Sequence, residues 1–155
     1  MALSGPLELW PISRIAYGLP ASPKRAVIEA LLDIAVKGLR VPAERKEKML
    51  QALLDREKNG STAAAGLAIP HVKLAEVKAP IAALGVYPAG IDFAAIDGGK
   101  VHSVFLLLSP AAMAEEHLVT LRWIAGVARN PDFMAFLRRT TTPADARSLL
   151  EEMGS

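Results

Sequence analysis

Three short apolar runs in the middle of the chain, residues 66–70, 81–87 and 101–109, constrain its fold more than any other feature. Each is bounded by Gly, Pro or Asp and is too short for a core helix, so each reads as a strand. Residues 81–87 and 104–108 scarcely alternate between apolar and polar side chains. A strand with one wet face alternates, so these strands are expected to be covered by helices on both sides. Pro88-Ala89-Gly90 and Asp97-Gly98-Gly99 are expected to be turns between them.

The flanking segments carry a helical period instead. Ser22 is a candidate N-cap with Pro23 at a first helical position. Val27, Leu31, Ile34 and Ala35 then share one face, and Gly38 is a natural stop. Pro42 opens a second helix with Met49, Leu50, Leu53 and Leu54 as its buried stripe and Asn59-Gly60 at its end. The short connection predicts an antiparallel helix pair. After Pro110 the period returns, with Leu118, Leu121, Ile124, Ala125 and Ala128 on one face up to Asn130-Pro131. Phe133, Phe136 and Leu137 mark a short helix; Ala146, Leu149 and Leu150, after Thr142-Pro143, mark the last. Prolines 6, 11, 20 and 23 leave residues 1–23 irregular, with 7–10 as a candidate edge strand. The expected architecture is a single α/β domain over residues 1–155, a mixed β-sheet flanked by helices, with its core at about 24–152.

Composition excludes several functions. With 155 residues there is room for one ordinary domain. No cysteine is present, so disulfides, thiolate catalysis and Cys-based zinc sites are ruled out. Eighteen Lys and Arg against sixteen Asp and Glu leave a net charge of +2, no footprint for nucleic acid. The longest apolar stretch, 101–113, is interrupted by His102, Ser103, Ser109 and Pro110, well short of the ~20 residues a membrane span needs. The N-terminus lacks the pattern of a signal peptide, so a cytoplasmic location is expected, peripheral to a membrane at most.

Imidazole chemistry has only His71, His102 and His117 to draw on. His71 follows Leu67-Ala68-Ile69-Pro70, where the chain is expected to leave the sheet, and strand ends are where α/β sites sit. The alternative is a surface histidine at a strand terminus. His117 lies near a helix start, where the dipole favours the neutral ring; its alternative is a local hydrogen-bonding role. His102, at a strand start beside Lys100, reads as structural or solvent-facing. No His-Glu-x-x-His or paired histidine spacing is present, so neither a metal nor another cofactor is expected. Arg56, Ser61 and Thr62 place a guanidinium and two hydroxyls at a helix end shortly before His71, groups that suit a phosphoryl ligand. An ordinary Gly-terminated helix with a polar turn would look the same.

Together, Arg56-Glu57-x-x-Gly60-Ser61-Thr62, Leu67-Ala68-Ile69-Pro70-His71 and His117-Leu118-x-x-Leu121 resemble the fructose/mannitol-type IIA domain of the bacterial sugar phosphotransferase system, a family that includes the nitrogen-regulatory IIA proteins. The resemblance runs from about 25 to 152. It implies a phosphotransferase that works as a phosphoryl carrier. His71 would be the residue phosphorylated by the histidine-containing phosphocarrier protein, with His117, Arg56, Thr62 and Ser61 around it. The group would pass to a separate IIB component, or serve a regulatory target in a nitrogen-regulatory-like role. The competing expectation is a regulatory binding module that keeps the fold without transferring phosphate. The sequence departs from the family at Ala63-Ala64-Ala65-Gly66, one residue shorter than the usual Gly-Asn-Gly-type stretch, and at Val72, where glycine is frequent. The loop that orients Thr62 is therefore expected to differ.

Overall fold

In the computed structural model, which describes residues 6–60 and 62–153, the two longest strands feed two separate cores. These strands are β4 (Ile81–Ile91) and β5 (Val101–Pro110), where β1 (Ile15–Tyr17), β2 (Leu67–Ala68) and β3 (His71–Leu74) precede them. Ala83, Tyr87, Val104, Leu106 and Leu108 enter one buried cluster. Ala82, Leu84, Val86, Phe105 and Leu107 enter the other. Alternation is present, but both faces demand apolar residues, so the sequence reads as continuous.

Helices α1 (Lys24–Val36) and α2 (Ala43–Lys58) cover the first face. Helices α3 (Ala114–Ala128), α4 (Pro131–Arg139) and α5 (Pro143–Met153) cover the second. Among the described residues the result is a single-domain mixed sheet of five strands between helical layers. Its order is β1-β4-β5-β2, with β3 also paired to β5. The central β4–β5 pair is antiparallel, whereas β1 on β4 and both β2 and β3 on β5 are parallel. Among the described residues, no helix is long and apolar enough to cross a membrane.

Of the expected stripes, Val27, Leu31 and Ala35 of α1 and Met49, Leu50 and Leu53 of α2 are buried, while Ile34 and Leu54 are only partly so; α1 begins at Lys24 with Pro23, not Ser22, in the cap position. Gly38 follows α1 at φ +83°, a conformation glycine adopts without a Cβ penalty. Elsewhere packing overrides the local reading. Residues 7–10 are no edge strand: Pro6–Leu9 forms a 3₁₀ turn, and the edge strand is Ile15–Tyr17. The turn delivers Trp10 into the core with no exposure, edge-on to Phe105 at 5.4 Å and stacked on Trp123 at 5.5 Å. Residues 7–19 thus contribute to the packed unit, through Leu7, Leu9, Trp10, Ile15, Tyr17 and Leu19.

Pro88-Ala89-Gly90 is likewise not a turn. It lies within β4 as an irregularity between the Val86 and Ile91 pairings, the place where a sheet tolerates Pro and Gly. The buried face of α3 is rotated from the expected one. His117, Thr120, Ile124 and Val127 point inward, and Leu118 is 46% exposed. Phe136 is also exposed, leaving Phe133 and Leu137 to anchor α4.

Candidate functional site

Pro70 creates the site's first feature. It has no N–H to continue a ladder, so the strand expected over 66–70 is interrupted. Its carbonyl still accepts from Leu107 N at 3.0 Å, and the chain rejoins the same neighbour as β3. His71 therefore opens a strand and does not end one. It pairs in register with Leu107, and Lys73 with Ser109. Neighbouring partners in a ladder point to the same face, so His71, Lys73 and Ser109 share the side covered by α3.

The His71 ring is held by its own backbone. Nδ1 lies 2.6 Å from the Ile69 carbonyl oxygen. A carbonyl can only accept, so Nδ1 carries the proton and Nε2 keeps its lone pair. The Ile69 amide is held in turn. Its N–H donates to Thr62 Oγ1 at 3.3 Å, and the Thr62 hydroxyl donates to Glu57 Oε2 at 2.7 Å. Glu57 Oε1 accepts from Lys24 Nζ at 3.0 Å, and Lys24 sits 4.5 Å over the Phe93 ring. Glu57 is only 8% exposed, a burial that a carboxylate tolerates because both oxygens have donors. One chain of contacts thus ties the His71 anchor to α1 and α2.

His117, the fourth residue of α3, brings the second imidazole. The ring centroids are 5.5 Å apart at an interplanar angle of 46°. His117 is 5% exposed, and its Nδ1 is 2.6 Å from Ser109 Oγ, itself 2% exposed. Burial, and then the neighbouring His71 and Lys73, push its pKa down to about 4. Burial leads, where the sequence pointed to the helix dipole. His71 is also held below the usual imidazole range, chiefly by burial, against its bond to Ile69, with the charges of Arg56 and Lys73 adding to the effect. Both rings are neutral at pH 7.

Of the residues marked by the sequence, His71 and His117 lie side by side, and Thr62 reaches His71 through the Ile69 amide. Arg56 is in the last turn of α2, where its Nη1 donates to the Gly60 carbonyl at 3.2 Å and its charge is felt at His71. Ser61 lies outside the described residues. His102 stands apart: its Nδ1 is 3.2 Å from the Tyr87 carbonyl oxygen, and a Cβ on Gly90 would come 2.7 Å from its ring. It braces the irregularity in β4. Among the described residues no group of three or more His, Asp or Glu could hold a metal ion.

Residues 64–67, where the sequence departs from the family resemblance, form a two-residue turn. Ala64 N donates to Leu67 O at 2.8 Å and Leu67 N to Ala64 O at 3.1 Å. Between them Ala65 and Gly66 both have positive φ, +56° and +82°, the combination of a type I′ turn. Alanine in that region costs about 1–2 kcal/mol. The turn is clamped from outside, because Ala65 N donates to Asp97 Oδ2 and Ile96 N to Ala63 O, both at 2.9 Å. Beside this turn, Thr62 contacts Glu57 and the Ile69 amide.

Sequence reading passed over Glu57, Lys73 and Ser109. Glu57 had a signal: it continues the buried spacing of Leu50 and Leu53. Lys73 sits two residues after His71, on the same face. Ser109 had none, since its meeting with His117 depends on how α3 settles on the sheet.

The family model for the phosphoenolpyruvate-dependent sugar phosphotransferase system EIIA 2 matches residues 8–153. A nitrogen regulatory protein of Pseudomonas aeruginosa is 36% identical over 130 residues, covering 83% of each chain. A fructose-specific EIIA component of the same type of system, from Haloferax volcanii, is 33% identical over 144 residues and 92% of each chain. The crystal structure of nitrogen regulatory protein IIA-Ntr from Neisseria meningitidis superposes with a TM-score of 0.80 at 28% identity, over 93% of this chain and 97% of that one.

Proposed function

The chain belongs to the EIIA 2 family of the phosphoenolpyruvate-dependent sugar phosphotransferase system, and from that premise we propose that it carries a phosphoryl group on Nε2 of His71. One observation supports the choice of atom: the 2.6 Å contact of Nδ1 with the Ile69 carbonyl oxygen, which leaves the lone pair on Nε2.

The chemistry follows from that proton. Nε2 attacks the phosphorus of a phosphohistidine on the donor protein; the new N–P bond forms as the old one breaks, and the donor imidazole leaves with the electron pair. The His71 ring keeps its Nδ1 proton against Ile69 throughout. The resulting positive charge on the ring keeps the phosphoryl group easy to pass on. Arg56 and His117 supply charge and a hydrogen-bond donor to the phosphoryl oxygens, which catalyse by holding charge in place. Thr62 and Glu57 hold the peptide that holds the ring.

The donor in this reading is the histidine-containing phosphocarrier protein. The acceptor is a separate IIB component or a regulatory target, and we favour the regulatory role because a nitrogen regulatory protein is among the similar relatives. The test is to incubate the protein with phosphoenolpyruvate, enzyme I and its native phosphocarrier and measure intact mass. One acid-labile phosphoryl adduct is expected on the wild type and none on His71→Ala. An unmodified wild type would favour the non-transferring module, and an undiminished adduct on His71→Ala would assign the phosphoryl group elsewhere.

A further inference from the structure

We propose that Ser109 is a positioning residue that sets the tautomer of His117: its hydroxyl donates to Nδ1, so the ring's one proton resides on Nε2. This rests on the carrier reading for its consequence, but not for its geometry. The contact is 2.6 Å, and both groups are buried, Ser109 to 2% exposure and His117 to 5%. At that distance one proton lies between the two atoms, and it belongs either to the serine or to the ring.

If the ring owned it, Nδ1–H would point at Ser109 Oγ, and the serine's own proton would need a second acceptor. Among the described residues the Ser109 side chain has one hydrogen-bond partner, His117 Nδ1. A hydroxyl proton buried without an acceptor is the costlier arrangement. If the serine owns the proton, the hydroxyl has its acceptor and Nδ1 its donor, and nothing buried is left unpaired. The neutral ring must then carry its proton on Nε2.

The consequence is chemical. Phosphoryl oxygens only accept hydrogen bonds. An N–H beside His71 stabilises them as charge develops in transfer, while a bare ring nitrogen repels them. Two neighbouring histidines thereby take opposite tautomers. The Ile69 carbonyl forces the proton of His71 onto Nδ1, and the Ser109 hydroxyl moves that of His117 to Nε2. The pair Lys73↔Ser109 in the β3–β5 register places this serine at the site, eight residues before the histidine it governs.

The test reads the tautomer directly, without phosphate. In nitrogen-15-labelled full-length protein at neutral pH, His117 should show a protonated Nε2 and an unprotonated Nδ1, and His71 the reverse. Ser109→Ala should give His117 a mixture of both forms while the His71 and His102 rings keep their patterns, which confirms the fold. Ser109→Thr, which retains the hydroxyl, should restore the single form. The rate of phosphoryl uptake by His71 should fall several-fold in Ser109→Ala and recover in Ser109→Thr. A protonated Nδ1 on His117 in the wild type, or an unchanged tautomer in folded Ser109→Ala, would overturn the assignment. A tautomer change that left the uptake rate unmoved would overturn its bearing on transfer. A wild type that shows the expected tautomers but accepts no phosphoryl group would instead overturn the carrier reading.

Discussion

His71 and His117 are the same side chain, held at the same ring atom and at the same 2.6 Å, but by different partners. One is gripped by a carbonyl, which can only accept. The other is gripped by a hydroxyl, which can do either. Their surroundings differ as well: His71 is half-buried at the start of a strand, while His117 is nearly inaccessible on the inward face of α3. The difference teaches that an imidazole's role is set by what holds its back nitrogen. In the proposed reading, a fixed Nδ1 proton leaves His71 an Nε2 lone pair for attack, and an Nδ1 that accepts leaves His117 an Nε2–H to donate.

The largest effect that can break this contrast comes from deleting each ring. His71→Ala should abolish the phosphoryl adduct, whereas His117→Ala should still form it, about 10²–10³-fold more slowly, as expected when one donor to a developing anion is lost. A timed mass measurement of both variants separates the roles, and the opposite pattern would exchange them.

The pH dependence of stability sharpens the contrast next. The folded protein holds His117 at about 4, against 6.5 for an ordinary imidazole. Between those values the unfolded chain binds a proton that the folded one refuses, so stability drops as pH falls from 6.5 toward 4. The loss from this residue is at most ~3 kcal/mol. Urea titrations across that window should show it. In His117→Gln most of the slope should vanish, since Gln does not titrate; if the slope persists, the buried ring is not its source.

Thr62→Val then probes the His71 side alone. It removes the acceptor of the Ile69 N–H and one donor to buried Glu57, a loss of about 1–3 kcal/mol by urea unfolding. The His71 ring signals should shift while those of His117 stay put. Movement of both rings together would mean that the two anchors are not independent. The smallest effect is Lys73→Ala. The lysine lowers the pKa of both rings, so its removal should raise both in a nuclear magnetic resonance titration. The change should be slight and fade with salt, because Lys73 is exposed.

Much of this was legible because it is written at short range. The helical stripe Val27, Leu31, Ala35 and the stop at Gly38 need only the next turn of chain to be understood. The motif around His71 is likewise contiguous, and it marked the residue whose Nδ1 bonds to Ile69, two positions away. The exposed Leu118 shows where such reading stops. Next to His117, it has the side chain of a core residue, but the rotation of α3 on the sheet turns His117 inward instead. Neither residue type nor spacing sets that rotation. Complementary packing against Phe105, Leu107 and Trp10 does. Trp10 was hidden for a related reason: prolines disguised a segment whose order comes from tertiary burial and not from a helical or strand period.

From the sequence alone it follows that unalternating strands must lie between helical layers and that only three imidazoles are available, and the segment around His71 resembles the IIA motif. Its information there is periodicity and order, both properties of neighbouring residues. Tertiary structure alone decided that strand 66–70 resumes after Pro70 on the same neighbour, that Glu57 closes on Thr62 and Lys24, and that Ser109 meets His117. Those contacts depend on strand register and helix rotation, which are settled only when the two faces of one sheet pack at once.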